Sequence, residues 1–238
     1  MDFIWQGFRE ALHMIASGDP TLKTVLGITL RVALFSTFWA LVFGLPAGVL
    51  LGISTFRGRR PLLALANGGM GLPPVVVGLF LFLLMLNQSP LGRFHLIYTV
   101  KGIIVAQTVL ALPVVIALTA AAVQAVDPRL LDQARALGAS RFAVSTLALR
   151  EARVGVLAAA IAALGACLSE VGAVVLVGGN IQGSTDTLAS AVLLAVSGGR
   201  YDEAIAYGTI LLGLIFLLAA GLTLAQYAGA PARTLRRL

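Results

Sequence analysis

Residues 130–142 gather Asp132, Gln133, Arg135, Ser140 and Arg141 around Ala134, Gly138 and Ala139, between two stretches too apolar to face water. These side chains can exchange hydrogen bonds and make ion pairs. The chemistry they suit is a polar docking contact, or else the solvated face of an ordinary loop. Elsewhere the reactive types stand singly. Glu170 is the sole acid well inside an apolar run, directly after Ser169. Pro73-Pro74 interrupts another run, among Gly68, Gly69, Gly71 and Gly78. Asn180 follows Gly178-Gly179, where a helix end is expected.

The enzyme signatures are missing. There is no HExxH, no GxSG and no pair of aspartates within an apolar run. His13 and His95 are predicted outside the membrane or at its interface. Cys167 is the only cysteine, so an internal disulfide is impossible, and no CxxC or Cys/His cluster suggests a metal. The phosphate-binding pattern G-x-x-x-x-G-K-S/T is absent, and Lys23 and Lys101, the only lysines, lie in no such loop. No cofactor site is expected on this chain. If ATP supplies the energy, its hydrolysis belongs to another polypeptide.

The elements that carry these residues follow from composition. Of 238 residues, 59% are hydrophobic and 11% charged, with a mean hydropathy of +0.97. Soluble domains run nearer half apolar and a quarter charged. The chain is therefore expected to be an all-α polytopic membrane bundle. Five spans are expected, at about 24–53, 61–86, 102–123, 154–177 and 204–227, each long enough for a core of about 30 Å. Residues 1–20 lack the basic start of a signal peptide. They place Ile4, Phe8, Leu12 and Ile15 on one helical face, as an amphipathic segment at an interface would. Residues 21–238 form one transmembrane domain. Its charged stretch, 127–153, begins with Asp127 as N-cap and Pro128 in the first turn. Gly138 is expected to turn the chain. A second helical stretch, 140–152, then leads into the fourth span.

The net charge of +7 raises nucleic acid as a partner for a soluble protein, but here the positive-inside rule explains it. Loop 56–60, stretch 127–153 and the C-terminal tail hold eleven of the seventeen Lys and Arg, and five spans put them on one side. The expected orientation has the N-terminus outside and the C-terminus cytoplasmic. Small residues recur at helical spacing, as Gly44, Gly48 and Gly52 and as Gly155, Ala159, Ala163 and Ala166, which lets helices approach closely in lipid.

The stretch from Asp132 to Ser140 resembles the coupling-helix motif of ABC importer permeases, usually written EAAxxxG. Ala134 and Gly138 fall on its third and seventh positions. Asp132 stands for the Glu, Gln133 for the first Ala, and Leu149-Arg150-Glu151 for the later Leu-Pro. Residues 71–79 (GLPPVVVGL) and 168–173 (LSEVGA) resemble the oxyanion-importer permeases. Residues 177–181 (VGGNI) are most similar to their tungstate-transporting branch. The resemblance covers most of the chain from about residue 24.

It implies a type I importer permease fold in a bacterial or archaeal cytoplasmic membrane. The implied partners are a second permease copy, two ABC ATPase subunits carrying ATP and magnesium, and a periplasmic or extracellular solute-binding protein. In that setting Ala134 and Gly138 would allow close approach to the ATPase. Asp132, Gln133, Arg135, Ala139, Ser140 and Arg141 would surround the contact. Pro73 and Pro74 become candidates for a gate or path-lining segment, or a structural kink. Glu170 either lines the path or serves structure, and Asn180 either closes a helix or meets the anion. Ser169, Thr108 and Asn67 are possible neutral donors to it. A molybdate or sulfate permease is the alternative within the class; a channel or secondary transporter lies outside it, and no inverted repeat supports one.

Overall fold

The computed structural model describes residues 2–228; the tail with Arg233, Arg236 and Arg237 lies outside the described residues. The described chain is helical throughout. Its helices are α1 (Asp2–Ser17), α2 (Pro20–Ile53), α3 (Arg59–Gly69), α4 (Pro74–Met85), α5 (Val100–Gln124), α6 (Pro128–Ala136), α7 (Arg141–Glu151), α8 (Arg153–Ser169), α9 (Gly172–Gly178), α10 (Leu188–Ser197) and α11 (Tyr201–Ala228). Three of them, α2, α5 and α11, are long and apolar enough to cross a membrane alone, and the count reaches five when each bent pair is one span.

Packing gives the directions. A Cβ added at Gly44, Gly48 or Gly52 of α2 would lie 2.6, 2.6 or 2.7 Å from Val115, Thr119 or Val123 of α5. Both series advance by four together, so these helices run parallel, with backbones as close as the small residues allow. Parallel neighbours require a return pass, and α3 with α4 supplies it. Helix α8 runs antiparallel to α5: a Cβ at Gly155 would press on Ala122, and at the far end the Gln107 amide reaches the Cys167 carbonyl. Helix α11 comes back, with Gln226 donating to the Val154 carbonyl at 3.2 Å. Three of the expected passes are single helices, and the second and fourth are broken.

The second pass bends by 103° between Gly69 and Pro74. Gly68, Gly69 and Gly71 weaken the helix, and Met70, Gly71 and Leu72 donate to the carbonyls three residues back. Pro73 has no N–H, and Pro74 starts α4 at its first position. The fourth pass, expected unbroken to 177, stops at Ser169 and resumes as α9 after an extended Glu170. The expected run of 140–152 into this pass is also corrected, because α7 and α8 meet at 74° around Ala152. Val144, Ala148 and Ala152 are buried against Val49 and Val123, holding α7 across the ends of α2 and α5.

At the opposite end, α1 buries Gly7, Ala11 and Met14, with Gly7 against Ile205 of α11. Ile4, Trp5, Phe8, Leu12 and Ile15 face outward. Leu22, Val25, Leu188 and Tyr207 complete that end's core. There the Leu188 N–H donates to the Thr29 hydroxyl at 2.8 Å.

Candidate functional site

Two places concentrate the residues singled out above. The first is the turn between α6 and α7, at the basic end. The Asp127 carboxylate accepts the Arg129 N–H at 2.9 Å and starts α6. Leu131 is 6% exposed and anchors the helix inward, with Ala134 and Ala139 packed beside it. Helix α6 ends with the Ala139 N–H on the Ala134 carbonyl and the Gly138 N–H on the Arg135 carbonyl, both at 3.0 Å. That pair of bonds is a Schellman motif, and it sets Gly138 at φ +85°, where glycine is the least strained residue. Ser140 then caps α7 by accepting the Ala143 N–H at 3.2 Å.

The turn is thus held from both sides, and what it holds outward is apolar. Leu137 is 89% exposed and Phe142 82%. Around them stand Gln133, Arg141 and an exposed ion pair, Arg135 to Asp132 at 2.6 Å. Exposed pairs contribute little to stability, so this one orients the rim rather than the fold.

The second place is a cleft of about 110 Å3 where the two broken passes meet. Gly69, Leu72 and Pro74 line it from one break, Cys167 and Glu170 from the other, and Gln107 from α5. Glu170 accepts the Ala173 N–H at 2.9 Å and so caps α9 across its own break. Gln107 is 2% exposed; its amide nitrogen donates to the Cys167 carbonyl at 2.9 Å, and its oxygen has no partner among the described residues. Helices α4 and α9 are in close contact beyond the cleft, since a Cβ at Gly78 would lie 2.7 Å from the Ala173 Cα and one at Gly172 would press on Val75.

Residues 44–233 match the family described as the binding-protein-dependent transport system inner membrane component. The chain belongs to this permease family. It is a multi-pass inner-membrane subunit of an ABC transporter, and the ATPase is a separate partner. The permease is 39% identical over 210 residues to a probable anion ABC transporter permease of Haloferax volcanii, covering 85% of this chain and 90% of that one. It is 32% identical over 220 residues to the tungstate uptake permease TupB of Peptoclostridium acidaminophilum, covering 92% and 96%. To the molybdenum transport permease ModB of Escherichia coli it is 30% identical, over 84% and 92%. Among solved structures, a chain of the inward-facing MetNI methionine ABC transporter superposes with a TM-score of 0.73 at 23% identity, covering 89% of this chain and 97% of that one. That likeness shows the fold.

The expected site residues of the permease sort by place. Asp132, Gln133, Arg135, Gly138, Ser140 and Arg141 lie exposed on the turn, whereas Ala134 and Ala139 face the protein's own core. Pro74 and Glu170 line the cleft. Pro73 is exposed at the start of α4. Ser169 is exposed beside the cleft and donates its hydroxyl back to the Gly165 carbonyl at 3.0 Å. Asn67 is exposed near the end of α3, outside the cleft lining. Thr108 donates to the Ile104 carbonyl and faces α2, away from the cleft. Asn180 has φ +48° and ties the end of α9 to the Ser190 carbonyl of α10 at 3.3 Å, also outside the cleft.

Leu137, Phe142 and Gln107 escaped sequence reasoning. The available signals were an apolar pair beside charged neighbours and a lone amide in an apolar run. In the loop after Asn180, Asp186 is buried and accepts the Gly183 N–H at 2.9 Å. Burial raises its carboxyl above the ordinary value, and hydrogen bonds from its own N–H and that of Gly183 pull partly the other way.

Proposed function

We propose that the permease is the membrane part of an ATP-driven tungstate importer. Two copies frame the path, and each presents its α6–α7 turn to an ATPase. The observation that carries the coupling role is the outward pair Leu137 and Phe142 on a doubly capped turn. Large apolar side chains on a rigid, charged-rimmed projection fit a groove on a soluble partner. By the positive-inside rule this basic end is cytoplasmic, and the binding protein meets the other end. The outward apolar face of α1 lies in the interface there.

The broken face points toward the second copy. Pro73, Pro74 and Ser169 are exposed where the backbone is irregular. Lipid cannot satisfy irregular backbone, whereas a protein partner or a wet path can. By contrast Phe35, Phe38 and Phe43 project from the regular helix α2, a face suited to lipid.

Support for tungstate comes from the similarity to two tungstate uptake permeases, at 32% and 30% identity. Molybdate is the second reading, favoured by the ModB relatives. The test is ATP hydrolysis by the permease assembled with its ATPase in lipid, with the binding protein and tungstate, molybdate or sulfate in turn. Stimulation at the lowest concentration by tungstate supports the reading. A lower requirement for another anion replaces the substrate, and no retention of an ATPase removes the coupling role.

A further inference from the structure

The cleft between the two breaks offers acceptors and almost nothing else. Glu170 brings a carboxylate with one oxygen committed to the Ala173 N–H. Gln107 brings an amide oxygen, because its nitrogen is held by the Cys167 carbonyl. Among the described residues, no Lys or Arg lines the cleft. An oxyanion needs donors and positive potential, so this lining cannot be its resting place. A fully buried amide oxygen without a partner is costly unless water reaches it. The cleft is large enough for water, and its two acceptors, Gln107 and Glu170, could each receive a hydrogen bond from it.

We propose that Glu170 is an electrostatic plug: a hydrated negative charge at the meeting point of the two breaks that bars oxyanions from the resting path. This rests on the reading of the permease as an oxyanion importer, and it gives the carboxylate a role that a path binding the anion would not need. Import through such a site requires the charge to be moved aside with its helix. Glu170 is placed for that, because it caps α9, and α9 packs on α4 beyond both breaks. Repulsion between one negative charge and a dianion about 6 Å away through water is worth roughly tenfold in occupancy.

The experiment uses the permease–ATPase complex in vesicles loaded with molybdate and erythritol, without ATP. Efflux of each solute is followed for the wild type and for Glu170→Gln, Glu170→Asn and Glu170→Asp. Gln and Asn keep an oxygen for the Ala173 N–H and lose the charge; Asp keeps both. The expected result is at least tenfold faster molybdate efflux for Gln and Asn, unchanged erythritol efflux, and wild-type behaviour for Asp. Wild-type molybdate efflux in both neutral variants overturns the plug, as does an equal rise for both solutes. ATP-driven uptake by the wild type is measured separately with the binding protein. Its absence, with the efflux pattern intact, removes the importer reading and leaves the plug in place.

Discussion

Leu137→Ala separates docking from folding. Leu137 is 89% exposed, so the permease on its own gains little from the side chain. In a docked complex the same side chain would be buried. Truncation to Ala removes three carbons, and at about 0.8 kcal/mol each the loss is roughly 2.4 kcal/mol, or about fiftyfold in affinity for the ATPase. The assay is titration of the purified ATPase onto permease held in nanodiscs, with the melting temperature of the permease recorded alongside. Leu131→Ala is the contrasting variant: the same chemistry, 6% exposed, six residues back within α6. It should destabilise the permease by about 2–5 kcal/mol through the cavity it leaves. ATPase binding by Leu137→Ala within twofold of wild type would refute the docking role. A drop in melting temperature matching that of Leu131→Ala would refute the claim that the side chain serves only a partner.

Gly138→Ala places a Cβ at φ +85°, and should weaken the α6–α7 turn by about 1–2 kcal/mol, read as earlier proteolysis at the turn with membrane insertion intact. Gly48→Leu should prevent α2 and α5 from closing, since even a Cβ there meets Thr119 at 2.6 Å; Gly27→Ala, with nothing within 4 Å, should be neutral or slightly stabilising, both read from melting in detergent. Asp186 has a folded-state carboxyl value above its unfolded one, so the folded protein binds its proton more tightly. Stability should therefore fall as pH rises from the ordinary carboxylate range through the raised value, and Asp186→Asn should flatten that slope in melting curves taken across pH.

Much of the frame was legible because its determinants are local. The spacing of Gly44, Gly48 and Gly52 announced a close contact, and the structure sets each against a residue of α5. Asp127-Pro128 and Gly138 marked the start and end of α6 through capping chemistry. The bend at Ala152 carried no such mark. No Gly or Pro stands there, and the bend arises because Val144, Ala148 and Ala152 find partners on α2 and α5. Leu137 and Phe142 were equally silent, since periodicity identifies an apolar position without saying whether its own chain or another protein covers it. The pairing of Gln107 with the Glu170 break is a tertiary fact, made by helices sixty residues apart in sequence. The tie from the Asn180 amide to the Ser190 carbonyl of α10 is tertiary in the same way, and the two preceding glycines mark only the helix end.

The two candidate places are joined by one rigid element. Helix α8 has 17 residues, about 26 Å of rise, and runs from the bend at Ala152 to Ser169 at the cleft. At its lower end Ala152 is buried in the cluster that also anchors Leu131 of the turn. At its upper end it carries the Cys167 carbonyl that fixes Gln107, and Glu170 follows directly. Along its length Gly155, Ala159 and Ala163 are small and, at Ala159 and Ala163, fully buried. Small side chains interlock weakly, so this helix can shift along α5 with less repacking than a helix of interdigitating leucines would need. Movement of the α6–α7 turn by a docked ATPase would then reach the Glu170 break as a displacement of α8 itself. A disulfide tying α8 to α5 near Gly155 and Ala122 should preserve ATPase binding while abolishing ATP-driven uptake. Loss of both together would place the coupling elsewhere.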